Sequence, residues 1–145
     1  MPRYDNILFP TDLATGSEDI ALHVTEMADA FESNLHILHV VHTQHYHTEM
    51  DMITLYSGDC ECDAIPEAKE KLREFGRKYL YDRPSRISVV SGFPGDQILR
   101  YAESGNVDLI IMGHCRKGIE RLTLGSVSGY VVKRSRAPVM IVNHH

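Results

Sequence analysis

The chain has 145 residues, 43% of them hydrophobic and 24% charged, with a formal net charge of −5 when histidine is neutral. This length suits one domain, residues 1–145, around a single core, and the acidic balance excludes a protein that holds nucleic-acid backbones through a general basic surplus. No apolar run approaches the ~20 residues of a membrane-spanning helix, the Met-Pro-Arg start lacks a signal-peptide core, and three cysteines make no disulfide framework, so a cytoplasmic protein is expected.

Asn6-Ile7-Leu8-Phe9-Pro10 is a short apolar run stopped by proline, which reads as a buried first strand. Thr11-Asp12 follows, and a helical pattern begins near Ser17. Ala21, Val24, Ala28 and Phe31 recur at three- or four-residue steps on one face, leaving Glu18, Asp19, Glu26 and Asp29 to face water. Asp12 falls where the first strand emits its loop, a place where open parallel sheets put ligand-binding side chains. An Asx turn or a helix cap is the alternative.

Leu35 to Val41 gives a second strand, with His39 expected in the core. A polar insertion then spans about 42–65. His42, His45, His47, Asp59, Cys60 and Cys62 are metal-ligand types, but Cys-x-Cys is shorter than the gap of a zinc knuckle and no second cysteine pair occurs. The segment reads as a mobile surface loop that holds no metal. Pro66 is expected to open a charged helix running to about Tyr79, with Ala68, Leu72, Phe75 and Tyr79 as its buried stripe. Arg86 to Val90 reads as a third strand, Gly92 to Gly95 as a turn, and Asp96 to Ser104 as a third helix packing Ile98, Tyr101 and Ala102.

Val107 to Met112 forms a fourth apolar run that reaches Gly113. A loop with Arg116, Lys117 and Arg121 comes next, and Gly125-Ser126-Val127-Ser128 opens a fourth helix ending near Ser135. The N–H groups at a helix entrance have no intrahelical partner and carry the positive end of the helix dipole, so this segment reads as a phosphate cradle. An ordinary strand-to-helix crossover with Ser126 as N-cap is the competing reading. Ala137 to Val142 supplies a last strand. Strands alternating with helices imply right-handed crossovers and a parallel sheet covered on both faces: a doubly wound, three-layer α/β sandwich of five strands.

The segment from Gly113 to Ser128 resembles the signature of nucleotide-binding universal stress proteins: Gly, two residues, Gly, nine residues, then Gly-Ser or Gly-Thr. Gly125-Ser126 match its end, whereas Cys115 stands at the middle glycine, one residue after Gly113 instead of two. The resemblance continues through Ile7 to Asp12, Leu38-His39-Val40, Asp108 to Gly113 and Ala137-Pro138-Val139. It implies strand order 3-2-1-4-5, as in adenine nucleotide alpha hydrolase-like folds, and a homodimer formed through the C-terminal edge strand. It also implies an adenine nucleotide, ATP or another, with Mg as its companion ion. Asp12 would contact the nucleoside from the Pro10-Thr11-Asp12 loop, and Val40 the adenine through its backbone. Met112, Gly113, Gly125, Ser126, Val127 and Ser128 would meet ribose and phosphates, with Arg116 and Lys117 adding charge. The residues read without the resemblance support an anion site at the helix entrance and a neighbouring first-strand loop.

A stress-response or regulatory nucleotide binder, not an enzyme, is therefore the leading expectation. A slow ATPase is one alternative, although the chain has no Gly-Lys-Ser/Thr loop and Asp12 alone makes a thin magnesium site. A phosphoacceptor receiver domain is rejected, because the third strand ends in Val90-Ser91-Gly92 with no carboxylate. A dimeric interaction module that has lost nucleotide binding is the other alternative, on the irregular middle of the glycine motif.

Overall fold

Ile7, Leu8 and Phe9 are buried on both faces of β1 (Asn6–Pro10), the central strand of the sheet. A continuous apolar run is what a strand covered from both sides requires. The structure is a computed structural model and describes residues 3–14, 16–42, 59–81, 85–115 and 124–144. Within them the chain alternates β1, α1 (Ser17–Phe31), β2 (Asn34–His42), α2 (Asp59–Tyr79), β3 (Ser85–Gly92), α3 (Pro94–Ser104), β4 (Leu109–Cys115), α4 (Ser126–Arg134) and β5 (Val139–His144). All pairings are parallel, in the order β3-β2-β1-β4-β5.

The two-residue period of the strands divides the core. Ile7 and Phe9 join Leu35, Ile37, Leu109 and Ile111 under α1 and α2, which contribute Val24, Ala28 and Leu72. Leu8 joins Leu38, Ile110 and Met112 on the other face, under Ile98 and Ala102 of α3 and Val131 of α4. The expected stripe of α2 is present, with Leu72 buried and Phe75 and Tyr79 packed against the same cluster.

Four boundaries differ from the sequence reading. The turn expected over Gly92 to Gly95 shrinks to Phe93, because β3 keeps pairing with β2 to Gly92 and proline, suited to a first helical turn, opens α3 at Pro94. The helix expected to open at Pro66 starts at Asp59, so Pro66 lies inside it. Proline lacks the N–H that would bond the Cys62 carbonyl, and here one missing rung is tolerated within 21 helical residues. The expected loop at 42–65 is correspondingly shorter: His42 ends β2 and residues 59–65 are helical, while His45 and His47 lie outside the described residues. Finally, β4 does not stop at Gly113 but runs to Cys115, because β5 keeps pairing with it through Gly113↔Val142, His114↔Asn143 and Cys115↔His144.

The most enclosed of the strand histidines is His36, not His39. His36 is 5% exposed. Its Nδ1 lies 2.9 Å from the Tyr101 hydroxyl and its Nε2 3.4 Å from Asn6 Oδ1. The amide oxygen only accepts, so Nε2 carries the proton and Nδ1 accepts from Tyr101 in a neutral ring. Burial, and then the positive charge of Arg86, hold its pKa below the ordinary histidine value. The unfolded chain therefore binds this proton first as pH falls. The His36 contribution is complete above about pH 6.5 and declines from there down to the folded-state pKa, below which it is level. His36→Gln should flatten the stability curve in the window that opens just below about pH 6.5. Urea unfolding at several pH values checks this, and parallel curves for the two proteins would reject it.

Gly113 has a packing reason to be glycine. A Cβ there would sit 2.0 Å from Ile20 Cδ1 and 3.1 Å from its Cγ1. Gly113→Ala should cost about 1–3 kcal/mol through overpacking. Ile20→Val deletes the offending methyl, so the double variant should lose less than the sum of the two single losses. Strict additivity in urea unfolding would show that Gly113 is not set by this contact.

Candidate functional site

β1 is shorter than its neighbours, and its end makes the site. It pairs with β2 only as far as Pro10↔Leu38 and with β4 only as far as Leu8↔Ile110. The crossovers leave β1 in opposite directions here, which opens a crevice beyond the carboxyl ends of the strands. A cleft of about 480 Å³ fills that position, within the range of small-molecule sites. A second groove at the opposite end of the sheet carries charges of both signs, with Arg136 on Glu103 at 3.9 Å, and converges on no single chemistry.

The β1–α1 loop is tied by its own side chains. Asp12 Oδ1 accepts from the Ala14 N–H at 2.9 Å, an Asx turn, and receives the Ser17 hydroxyl at 3.5 Å. Thr11 Oγ1 accepts from the Leu13 N–H and donates to Ser17 Oγ, both at 3.1 Å. The loop passes through left-handed backbone at Leu13 and at Gly16, with φ of 60° and 100°. His39 is half-buried, and its Nδ1 donates to the Thr11 carbonyl at 2.8 Å. The turn reading of Asp12 is therefore realised, yet it engages Oδ1 and leaves an exposed carboxylate on the rim of the cleft.

Val40 lies two residues beyond the last β1 rung. The Leu38 carbonyl accepts from the Thr11 N–H at 2.9 Å, so Leu38 directs its backbone groups toward β1. Successive residues of a strand direct them to alternate sides, hence Val40 also points its N–H and C=O to the side where β1 has ended. Leu38, Val40, Pro94, Ile98 and Met112 make that end of the cleft apolar.

The opposite end is polar. Gly125 is the N-cap of α4, with no side-chain cap, and Ser126 is the first helical residue, contrary to the reading of Ser126 as N-cap. The intrahelical ladder begins with the Gly129 N–H on the Gly125 carbonyl at 2.8 Å. The first turn carries no acidic side chain, and Lys133 and Arg134 occupy the last turn, so the positive end of the dipole faces the crevice uncompensated by its own helix. Ser128 is buried and its hydroxyl donates to the Gly113 carbonyl at 3.3 Å.

Of the residues singled out from sequence, Pro10, Thr11, Asp12, Val40, Met112 and Gly113 border the cleft together with Val127 and Ser128. Gly125 and Ser126 are exposed at the helix entrance. Arg116 and Lys117 lie outside the described residues. Sequence reading missed several lining residues, among them Ser17, Pro94, Ile98 and His114. Only His114 had a usable signal, since continuing the strand period past Gly113 puts it on the α4 face. Among the described residues no group of three or more His, Cys, Asp or Glu could hold a metal, and no helix is long and apolar enough to cross a membrane.

Comparison with known proteins agrees with this geometry. Residues 3–143 match the Universal stress protein family. Universal stress protein MJ0531 of Methanocaldococcus jannaschii is 28% identical over 145 residues, covering 96% of this chain and 82% of the relative. The solved structure of hypothetical protein MJ0577, also named a universal stress protein of that organism, superposes with a TM-score of 0.75 at 30% identity, covering 98% of this chain and 97% of that one. A universal stress protein solved in complex with cAMP shares the fold at 21% identity and a TM-score of 0.64, covering 97% and 98% of the two chains. With its α/β sandwich of the adenine nucleotide alpha hydrolase-like type and a 3-2-1-4-5 sheet, the chain belongs to the universal stress protein family.

Proposed function

We propose that this universal stress protein binds an adenine nucleotide in the cleft at the β1–β4 switch point and acts as a regulatory binder, not as an enzyme. The observation that carries the reading is the backbone of Val40. Its N–H and C=O face the crevice beyond the end of β1, next to an apolar wall, and form a donor and acceptor pair suited to the edge of a purine. The exposed Asp12 carboxylate suits ribose hydroxyls, and the uncapped first turn of α4 suits a phosphate. Binding without turnover is favoured because Asp12 is the one carboxylate among the described residues lining the cleft, which is thin for a magnesium-dependent phosphoryl transfer. The complex of a relative with cAMP adds support from outside the chain.

Mass spectrometry of gently purified protein should find co-purified ATP, ADP or AMP, and a phosphate-release assay should show retention of ligand over turnover. A chain that carries no nucleotide and gives no heat with any of them is the interaction module instead. Asp12→Ala should weaken nucleoside binding about tenfold while costing about 1 kcal/mol of stability from the lost turn bond. Gly125→Val should weaken phosphate-bearing ligands and leave the fold intact, because a Cβ at Gly125 meets nothing within 4 Å among the described residues. Large melting losses with unchanged affinity in both variants would reduce these residues to turn and cap.

The same proposal extends to assembly. Among the described residues β5 is a sheet edge that pairs with β4 alone, and its half-buried Met140 and Ile141 lie along that edge. Antiparallel pairing of two copies about a two-fold axis would close it. Ile141→Pro removes one donor and should shift a homodimer toward monomer. Light scattering tests this at micromolar protein, where a monomeric wild type or an equally dimeric variant would exclude the β5 edge as the interface.

A further inference from the structure

Past Gly113 the side chains of β4 serve opposite faces: Gly113 abuts Ile20 of α1, and His114 reaches α4. His114 is 6% exposed and borders the cleft. Its Nδ1 accepts from the Gly125 N–H at 3.3 Å. An amide nitrogen only donates, so Nδ1 holds the ring's lone pair and the neutral ring keeps its proton on Nε2. Gly125 has no side chain with which to fix its own peptide, and among the described residues nothing lies within 4 Å of where its Cβ would be. Two bonds fasten the first turn of α4 to successive residues of β4: this one, and the Ser128 hydroxyl on the Gly113 carbonyl.

We propose that His114 is a positioning residue for a nucleotide's phosphate: it anchors the Gly125 amide to β4 and so fixes the direction in which the Ser126 and Val127 N–H groups face the cleft. The role rests on the reading of the cleft as an adenine nucleotide site. Electrostatic stabilisation of an anion by helix-entrance amides depends on those amides being held in place before the ligand arrives. His114 does this from a buried strand position, where its own ring has little freedom to turn.

Calorimetry with AMP and with adenosine, on wild type, His114→Ala and His114→Asn, tests the role. The asparagine Oδ1 stands as many bonds from Cα as the histidine Nδ1, so it can accept from the Gly125 amide while lacking Nε2. His114→Ala should lose about tenfold in AMP affinity with adenosine affinity unchanged, and His114→Asn should recover most of that loss. If His114→Ala does not fold, His114→Gln replaces it, filling the space while carrying the amide one bond further out. AMP bound equally well by the alanine variant, or more tightly because the ring competes for the amide, would overturn the role. So would an asparagine variant as weak as alanine, which would shift the function to Nε2. Wild type that binds neither ligand defeats the nucleotide reading itself and this role with it, whereas wild type and alanine binding AMP alike defeats only the role of His114.

Discussion

The early end of β1 is the constraint on which the rest of the site depends. β2 has nine residues and β4 seven, but β1 has five. Pro10 has no N–H to continue a ladder, and the chain turns away at Thr11 and Asp12, held by the Asx turn and the Thr11–Ser17 contact. The two longer strands therefore project past their shared neighbour and leave backbone without a partner strand between them. An unpaired backbone group in a partly enclosed place needs a partner from water or from a ligand. The fold produces its crevice by shortening a buried strand, with no specialised side chain at the apolar end.

The other two walls follow from how β4 divides its faces. Gly113 is small because α1 crosses there with Ile20, and His114 and Ser128 hold α4 at the height of the crevice. A glycine that looks like part of a phosphate loop in sequence has a packing duty in the structure. The polar atoms of that region are largely committed to one another: Ser128 Oγ to Gly113, Gly125 N–H to His114, Asp12 Oδ1 to Ala14. What is left over for a ligand is the first-turn amides of α4 and the exposed part of Asp12.

Fold class was legible because a parallel sheet buries its strands on both faces, which makes Ile7 to Phe9 and Leu109 to Met112 continuous apolar runs and leaves His36 as the one polar residue from Leu35 to Leu38, while the sheet order came from the family resemblance. Boundaries were less so. Pro66 has the residue type of a helix start, and sequence carries no local sign that tertiary packing will retain a helix upstream of it. The extent of β4 past Gly113 was set by pairing with β5, some thirty residues away, as the Cys115↔His144 rung shows. His36 and His39 lie one strand period plus one residue apart and so serve opposite faces. Which face encloses an imidazole depends on Tyr101 of α3, and no local pattern reports it.

The glycines make the last distinction between what the fold demands and what a ligand demands. A Cβ at Gly113 would overlap Ile20, and one at Gly95 would come within 2.5 Å of the Tyr130 ring, so packing accounts for both. Gly16 and Gly92 take φ of 100° and 139°, so backbone conformation accounts for those. Gly125 has neither reason. Its φ of −57° suits any residue, and among the described residues its Cβ direction is open. Serine, aspartate or asparagine at that N-cap would also stabilise α4 by about a few tenths of a kcal/mol over glycine. A residue that breaks the local preference without serving the packing is where function is to be sought. The proposed phosphate supplies the missing reason, since any side chain at the N-cap would stand in the path to the first-turn amides, and a capping side chain would occupy them.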